Sequence, residues 1–204
     1  SGDIVIDPSI TTLADNAFEG CSNLTSVEMS HVTAVGASVF LSCSNLSSIN
    51  MPLVTSVGHS AFRYCLSITS VHIPLLASVA NYVFRSCAKL VAVEMPLVTI
   101  VGAEGFAHCS DLVTVNLPIA ASVGTSAFYR CTSLSNLNMT LLTVVDNQPF
   151  YECFSLTSVD MPLVTLVRNY AFYECISLAS VHMPLVTTVE SLAFRGCSSL
   201  VSLN

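Results

Sequence analysis

The chain has 204 residues, of which 52% are hydrophobic and only 9% are charged, and its formal net charge is −7. Lys89 is the only lysine, whereas a phosphate-binding surface needs clustered Lys or Arg, so the composition argues against a nucleic-acid partner. No apolar run approaches the ~20 residues that span a bilayer, which argues against a membrane span in this segment.

The N-terminal residues Ser1, Gly2 and Asp3 show neither the basic n-region nor the apolar h-region of a secretory signal peptide. The sequence therefore predicts either a cytosolic chain or one whose targeting segment has been removed.

Cysteine recurs with a fixed period of 22 residues along almost the whole chain. The nine positions are Cys21, Cys43, Cys65, Cys87, Cys109, Cys131, Cys153, Cys175 and Cys197. A fixed period in this range indicates a solenoid, in which each repeat contacts its neighbours. We therefore predict a single solenoid domain over residues 1–204 with about nine repeats. Because Asn204 falls inside a repeat, we expect this domain to be a fragment of a longer protein.

The first half of each repeat predicts a β-strand. Positions three, six and eight after each cysteine are apolar, as in Leu156, Val159 and Met161, and the last part of this pattern alternates with polar residues. Alternation of this kind is typical of a half-buried strand. Proline usually follows, as in Pro162, and ends the strand because it has no N–H to donate. Strands stacked ~4.8 Å apart would give nine coils a length of roughly 40 Å.

The second half of each repeat carries a V-T-x-V segment, a polar corner and a phenylalanine. The corner holds glycine in four coils and Ala, Asp, Arg or Glu in others, so it should not need a left-handed backbone. The phenylalanine always lies three residues before cysteine, and stacking should turn this column into an interior ladder. The column consists of Phe18, Phe40, Phe62, Phe84, Phe106, Phe128, Phe150, Phe172 and Phe194.

The unit C-x-x-L-x-x-V-x-M-P-x-V-T-x-V-G-x-x-A-F resembles the BspA-like leucine-rich repeats of microbial surface proteins over about residues 4–204. The resemblance implies an α/β-type solenoid, a right-handed superhelix with a parallel β-sheet on one face and irregular or 3-10 structure elsewhere. It also implies extracellular or cell-surface localisation and roles in adhesion and protein recognition.

The regular cysteines could mark disulfides, metal ligands or a packed column. Zinc sites use close pairs such as C-x-x-C, whereas the nearest cysteines here are 22 residues apart. Stacking would bring adjacent Cα atoms within disulfide range, but their side chains would point the same way and nine is an odd number. We therefore predict a ladder of nine free thiols, each a small hydrophobe with a weak S–H donor.

Two outward-facing surfaces are candidates for binding. The first is the seventh position after cysteine, and we select Glu94, Asn116, Asn138, Asp160 and His182 as candidate contact residues. Variable polar residues on a regular scaffold are how solenoids build recognition surfaces. The alternative is a merely solvated sheet face stabilised by cross-strand pairs.

The second candidate surface is aromatic. Tyr129, Tyr151 and Tyr173 share one column in consecutive repeats, and Phe154 lies one residue after Cys153. Tyrosine combines apolar area with a polar tip, which favours it at interfaces. The alternative is a packed convex edge, and arginines in the same column suggest cation–π contacts.

A column of leucine or isoleucine follows the proline in six coils and Thr140 in a seventh, at Leu53, Leu75, Leu97, Ile119, Leu141, Leu163 and Leu185. Either these side chains fold over the corner of the core or they form an exposed apolar stripe. An exposed stripe usually indicates association, so in that case the protein should self-associate.

The arrangement does not favour an enzyme, because polar residues lie in rows and no nucleophile, base and orienting group converge. The sequence therefore predicts no catalytic residue, metal ligand or cofactor, and favours a protein-binding module with a host or extracellular-matrix protein as partner. The alternatives are an intracellular scaffold and a structural or lattice-binding protein. The lattice alternative rests on a threonine row at Thr33, Thr55, Thr99, Thr143, Thr165 and Thr187.

Overall fold

The computed structural model describes residues 2–204, in which β-coils of about 22 residues stack on one another. Each full coil contributes a three-residue strand and, after a turn, a two-residue strand. No helix is assigned within residues 2–204, so the 3-10 segments expected between strands are replaced there by turns.

The three-residue strands fall where the L-x-x-V-x-M pattern predicts them, and the last of this row has only two residues. They are β1 Asp3–Val5, β3 Ser26–Glu28, β5 Ser48–Asn50, β7 Ser70–His72, β9 Ala92–Glu94, β11 Thr114–Asn116, β13 Asn136–Asn138, β15 Ser158–Asp160, β17 Ser180–His182 and β19 Ser202–Leu203.

A second row of strands, not expected from the sequence, forms in the V-T-x-V segments. It consists of β2 Thr12–Leu13, β4 Ala34–Val35, β6 Ser56–Val57, β8 Ser78–Val79, β10 Ile100–Val101, β12 Ser122–Val123, β14 Val144–Val145, β16 Leu166–Val167 and β18 Thr188–Val189. The sheet predicted on one face is therefore accompanied by a second one.

Every strand pair is parallel and offset by one repeat. In the pairing of β15 with β17, for example, Val159 lies opposite Val181 and Asp160 lies opposite His182. Hydrogen bonding divides each row into sheets of two or three strands. The offset is 22 residues in every pair except β1 with β3, where it is 23. It keeps equivalent residues side by side, so each column of the repeat becomes a ladder along the solenoid.

The core is built from these ladders. Val159 is buried between the exposed residues Ser158 and Asp160, as expected for a strand with one face inward. The phenylalanine rings stack nearly parallel from coil to coil, with centroids 5.2–5.7 Å apart. The seven rings from Phe40 to Phe172 are fully buried, whereas the two outermost, Phe18 and Phe194, are only partly buried.

Two positions in each coil adopt a left-handed backbone, one and five residues before the cysteine. Most are not glycine: Arg130 has a φ of 58° and Ser126 a φ of 57°. Such a conformation costs roughly 1–2 kcal/mol for an L-residue. It is offset by hydrogen bonds to the next coil, because the Arg130 amide donates to the Tyr151 carbonyl at 2.8 Å and the Ser126 amide to the Asn147 carbonyl at 3.0 Å.

The corner glycines lack this conformation, as the sequence predicts, since only Gly20 and Gly196 have positive φ among the glycines of residues 2–204. Close packing nevertheless leaves no room for a side chain at one or more of these corners. A Cβ on Gly58 would lie 2.5 Å from the backbone nitrogen of Ala37 in the preceding coil.

Candidate functional site

The face formed by the outward side chains of the three-residue strands, five and seven residues after each cysteine, is termed the strand face. Glu94, Asn138, Asp160 and His182 are exposed on it, and Asn116 is half-buried. Parallel pairing aligns Glu94, Asn116 and Asn138 in one sheet and Asp160 with His182 in the next, and the stacked coils continue the line between the two sheets.

A shallow depression of about 490 Å³ lies in the middle of the strand face. Asn116 and Asn138 line its centre, and Glu94 and Asp160 lie at its two ends. The Asn138 Nδ2 donates a hydrogen bond to the Asn116 Oδ1 at 2.8 Å, so the two amides are oriented by each other. The depression therefore presents amide groups in the centre and a carboxylate at each end.

Carboxylates without an arginine partner lie on the strand face, whereas the ion pairs lie elsewhere. Within residues 2–204, three salt bridges connect arginines with carboxylates, and all lie outside the strand face: Arg85–Glu104, Arg130–Glu152 at 2.9 Å and Arg168–Asp146 at 3.8 Å. The strand face carries Glu28, Glu94 and Asp160 and none of the six Lys and Arg residues. Its carboxylates therefore remain available to a cationic group on a partner.

The predicted tyrosine column forms a continuous stack on the turn edge. The Tyr129 and Tyr151 ring centroids are 4.8 Å apart, and those of Tyr151 and Tyr173 are 4.6 Å apart. The Arg195 guanidinium lies 5.7 Å from the Tyr173 centroid, as the shared column suggests. Burial, followed by the influence of Tyr173, raises the pKa of Tyr151. All three tyrosines are half-buried, and Phe154 is exposed.

Sequence reasoning missed a small polar depression of about 290 Å³ beside this stack. His108 lies in it with its ring edge-on to Tyr129, at a centroid distance of 5.4 Å. Burial, and then the nearby Arg85 and Arg130, lower the pKa of His108. The lining residues fall in three columns, one, two and five residues before the cysteine, but the residue types vary along each column, so no repeated residue signals this site. Its main charges, Arg85 and Glu104, already pair with each other.

The cysteines form a ladder of free thiols in residues 2–204. From Cys43 onwards each Sγ donates to the carbonyl of the phenylalanine 25 residues earlier, at 3.1–3.4 Å. Burial raises the pKa of Cys43 and Cys197 to about 11 and that of Cys109 to about 12. Cys21 is exposed rather than buried, because it lies in the first coil at one end of the stack.

Thiol alkylation should therefore distinguish Cys21 from the other eight cysteines. In the folded protein at pH 8, iodoacetamide should modify Cys21 alone, because the thiolate is the reactive form and the remaining thiols are buried with raised pKa values. Mass spectrometry should find one adduct in the native protein and nine in denaturant. Fast native modification of Cys109, or a disulfide in the non-reduced protein, would contradict the ladder.

The threonine row is poorly suited to binding an ordered lattice. Five of its six hydroxyls donate to carbonyls of the preceding coil, as in Thr55 to Thr33 at 3.4 Å and Thr187 to Thr165 at 3.1 Å. Ala77 and Ala121 interrupt the row. Hydroxyl donors that are already used within the protein are not free to match an external lattice of water or mineral.

Within residues 2–204, no helix is long and apolar enough to cross a membrane. No cluster of three or more His, Cys, Asp or Glu side chains is arranged to hold a metal ion in that part of the chain.

Solved structures of similar shape come from several bacteria. The pneumococcal vaccine antigen PcpA aligns with a TM-score of 0.60 and 16% identity, covering 97% of this chain and 55% of PcpA. A leucine-rich repeat protein of T. pallidum aligns with a TM-score of 0.53 and 18% identity, covering 99% and 79% of the two chains. A leucine-rich cell surface protein of Faecalibacterium prausnitzii aligns with a TM-score of 0.48 and 22% identity, covering 94% and 68%.

At these identities the likeness to PcpA and to the T. pallidum protein shows the fold alone. The search of curated proteins found no match. The sequence pattern of the BspA type leucine-rich repeat region, however, matches residues 2–91 and 77–201, with six copies. The match extends over nearly the whole chain and agrees with the stacked coils of the structure, so the chain belongs to the BspA type leucine-rich repeat family.

Proposed function

We propose that this protein is a non-enzymatic binding module, displayed at the cell surface, that contacts a protein partner through the strand face. The observation that carries the proposal is the depression in which Asn116 and Asn138 lie between Glu94 and Asp160. Membership of a leucine-rich repeat family supports a binding role, because solenoids of this kind present extended recognition surfaces.

The chemistry of the depression favours a partner with cationic groups. Glu94 and Asp160 are three coils apart, a separation of about 14 Å at the spacing of stacked strands. Asn side chains between them can both donate and accept hydrogen bonds, which suits the backbone of an extended segment. Lysine or arginine side chains spaced to meet both carboxylates would add electrostatic complementarity, which mainly improves specificity and association rate.

The rows of polar residues also argue against catalysis. Equivalent side chains repeat along each column, and the depression contains amides, carboxylates and hydroxyls but no cysteine or histidine. A nucleophile, a base and an orienting group do not converge there. Binding rather than turnover is the activity that this surface supports.

Charge reversal of the two carboxylates should weaken partner binding. We would measure binding of purified host extracellular-matrix proteins to the immobilised protein, and compare it with the variant Glu94→Lys/Asp160→Lys. The variant should bind about tenfold or more weakly, because it places two cations opposite the cationic groups of the partner. Binding of the unmodified protein should also weaken as salt is raised.

The matched control is Glu19→Lys/Asp111→Lys, which changes the net charge equally at exposed carboxylates off the strand face. This control should bind like the unmodified protein. Equal losses in both variants would show that binding depends on overall charge alone and would contradict a site on the strand face. Antibody labelling of intact cells tests surface display separately, since an epitope protected until lysis would exclude it.

A further inference from the structure

Seven apolar side chains form an exposed line along the solenoid, here termed the leucine ridge. They are Leu53, Leu75, Leu97, Ile119, Leu141, Leu163 and Leu185, each 37–52% exposed. The structure thus decides between the two expectations from the sequence: these side chains do not fold over the core. Exposed lines of this length usually indicate an interface.

The chain segments that carry the leucine ridge contain no charged residue. Positions nine to fourteen after the cysteine contain no Asp, Glu, Lys or Arg in any of these seven coils, in residues 52–57, 74–79, 96–101, 118–123, 140–145, 162–167 and 184–189. Small hydroxyl and methyl groups flank the leucines instead, as at Thr99 and Ala121. A protein with a net charge of −7 can therefore bring these segments against those of a second copy without charge repulsion between them.

The spacing between side chains along the leucine ridge favours a second copy of this chain as the partner. Adjacent leucines are one coil apart, about 4.8 Å at the spacing of stacked strands. A helix presents side chains at its 5.4 Å pitch and would lose register within a few turns. A second leucine ridge has the same period, so the side chains of the two ridges can meet one to one along the full length. We propose that two copies of this chain associate through their leucine ridges.

The corner column beside the ridge, which includes Asp146, Arg168 and Glu190, is compatible with an antiparallel arrangement. In an antiparallel dimer centred on Ile119, the charged corner residues face uncharged ones, because Asp146 then meets Gly102. A two-fold axis through Ile119 closes this interface, as most homodimers require.

The size of the ridge predicts a weak dimer. Seven side chains one coil apart span about 29 Å, and the uncharged strip is about 10 Å wide, which gives a footprint on the order of 300 Å². This is small beside the interfaces of stable complexes, which bury about 800 Å² of accessible surface per partner. A monomer–dimer equilibrium with a dissociation constant of roughly 10–100 µM is therefore expected.

Sedimentation of the full chain from about 1 µM to about 500 µM tests the proposal, because this range brackets the expected dissociation constant. The mass should rise from monomer to dimer across that range. Leu97→Lys should raise the dissociation constant at least about tenfold, because it buries lysine against the ridge of the other copy. The matched control Leu66→Lys changes an equally exposed leucine, 45% exposed and off the ridge, and should leave the equilibrium unchanged.

The double variant Leu97→Lys/Leu141→Glu tests the orientation. In the antiparallel dimer position 97 of one copy faces position 141 of the other, so the new lysine and the new glutamate meet twice and association should recover from the loss caused by Leu97→Lys. In a parallel dimer each new charge would meet itself, and association should weaken further. A monomer at every concentration, or a dimer that Leu97→Lys leaves intact, would overturn the proposal. Circular dichroism of each variant shows that its fold is retained.

Discussion

Raising the pH above about 9 should unfold this protein within one or two pH units. The cause is the thiol ladder, in which eight cysteines are buried with raised pKa values. These are Cys43, Cys65, Cys87, Cys109, Cys131, Cys153, Cys175 and Cys197. In the unfolded chain the same thiols ionise near their ordinary pKa of 9.0.

The direction of the effect follows from proton linkage. Above pH 9 the unfolded chain binds fewer protons than the folded protein, so the free energy of unfolding falls as the pH rises. The stabilisation is complete below pH 9 and is lost as the pH rises through the folded-state values, which are about 11 for Cys43 and about 12 for Cys109. Each thiol contributes a slope of about 1.4 kcal/mol per pH unit.

Eight such thiols give a slope on the order of 10 kcal/mol per pH unit, which is comparable with the whole stability of an ordinary domain. Circular dichroism during an alkaline titration should therefore show a steep loss of folded signal. Thiolate absorbance in the ultraviolet should rise in the same transition, because burial prevents ionisation until the coils separate.

A variant with Cys87, Cys109, Cys131 and Cys153 changed to alanine isolates the thiol contribution. It retains all six tyrosines, which ionise in the same pH range, but should show about half the slope. A transition as steep as that of the unmodified protein would assign the alkaline unfolding to tyrosine instead. Thiolate absorbance that appears well before the folded signal falls would contradict burial of the ladder.

The repeat made most of the fold predictable from the sequence. Because equivalent residues recur every 22 positions, one buried valine such as Val159 implies a buried ladder, and the alternation around it predicts the outward position of Asp160. The same argument placed the predicted strand-face residues in one line. The weaker V-T-x-V signal did not predict the second row of strands, because two residues are too few for a pattern of alternation.

Other features depend on contacts that a column of residue types does not show. The left-handed residues one and five before cysteine include Tyr64, Glu104 and Tyr170, which have no intrinsic preference for that conformation. Their backbone amides donate hydrogen bonds to the next coil, and these bonds favour the left-handed conformation. Such bonds form only once the coils are stacked. The exposure of Leu97 and the depression around His108 likewise depend on the path of the turns, which the sequence pattern leaves open.

Truncation of one phenylalanine in the middle of the stack should cost about 3–5 kcal/mol of unfolding free energy, as is usual for Phe to Ala in a core. Phe128→Ala is the informative variant, because its ring packs against Phe106 at 5.3 Å and Phe150 at 5.7 Å and is fully buried. The change removes contacts on both sides at once. Urea denaturation followed by circular dichroism measures the loss.

The cavity left by Phe128→Ala lies in the middle of the stack, so the variant should unfold in two steps. In a solenoid each coil is stabilised mainly by its neighbours, so a weakened central interface uncouples the two halves. The apparent m-value should therefore fall, because less surface is exposed in each step.

The matched control is Phe194→Ala in the last full coil. Its ring is only partly buried and stacks on Phe172 at 5.2 Å from one side, so the loss should be about half or less and should fray one end without splitting the molecule. Equal losses with unchanged m-values in both variants would mean that the coils unfold as one indivisible unit. A stack of coils held by nearest neighbours predicts the opposite, because the position of a defect then decides how much of the structure it uncouples.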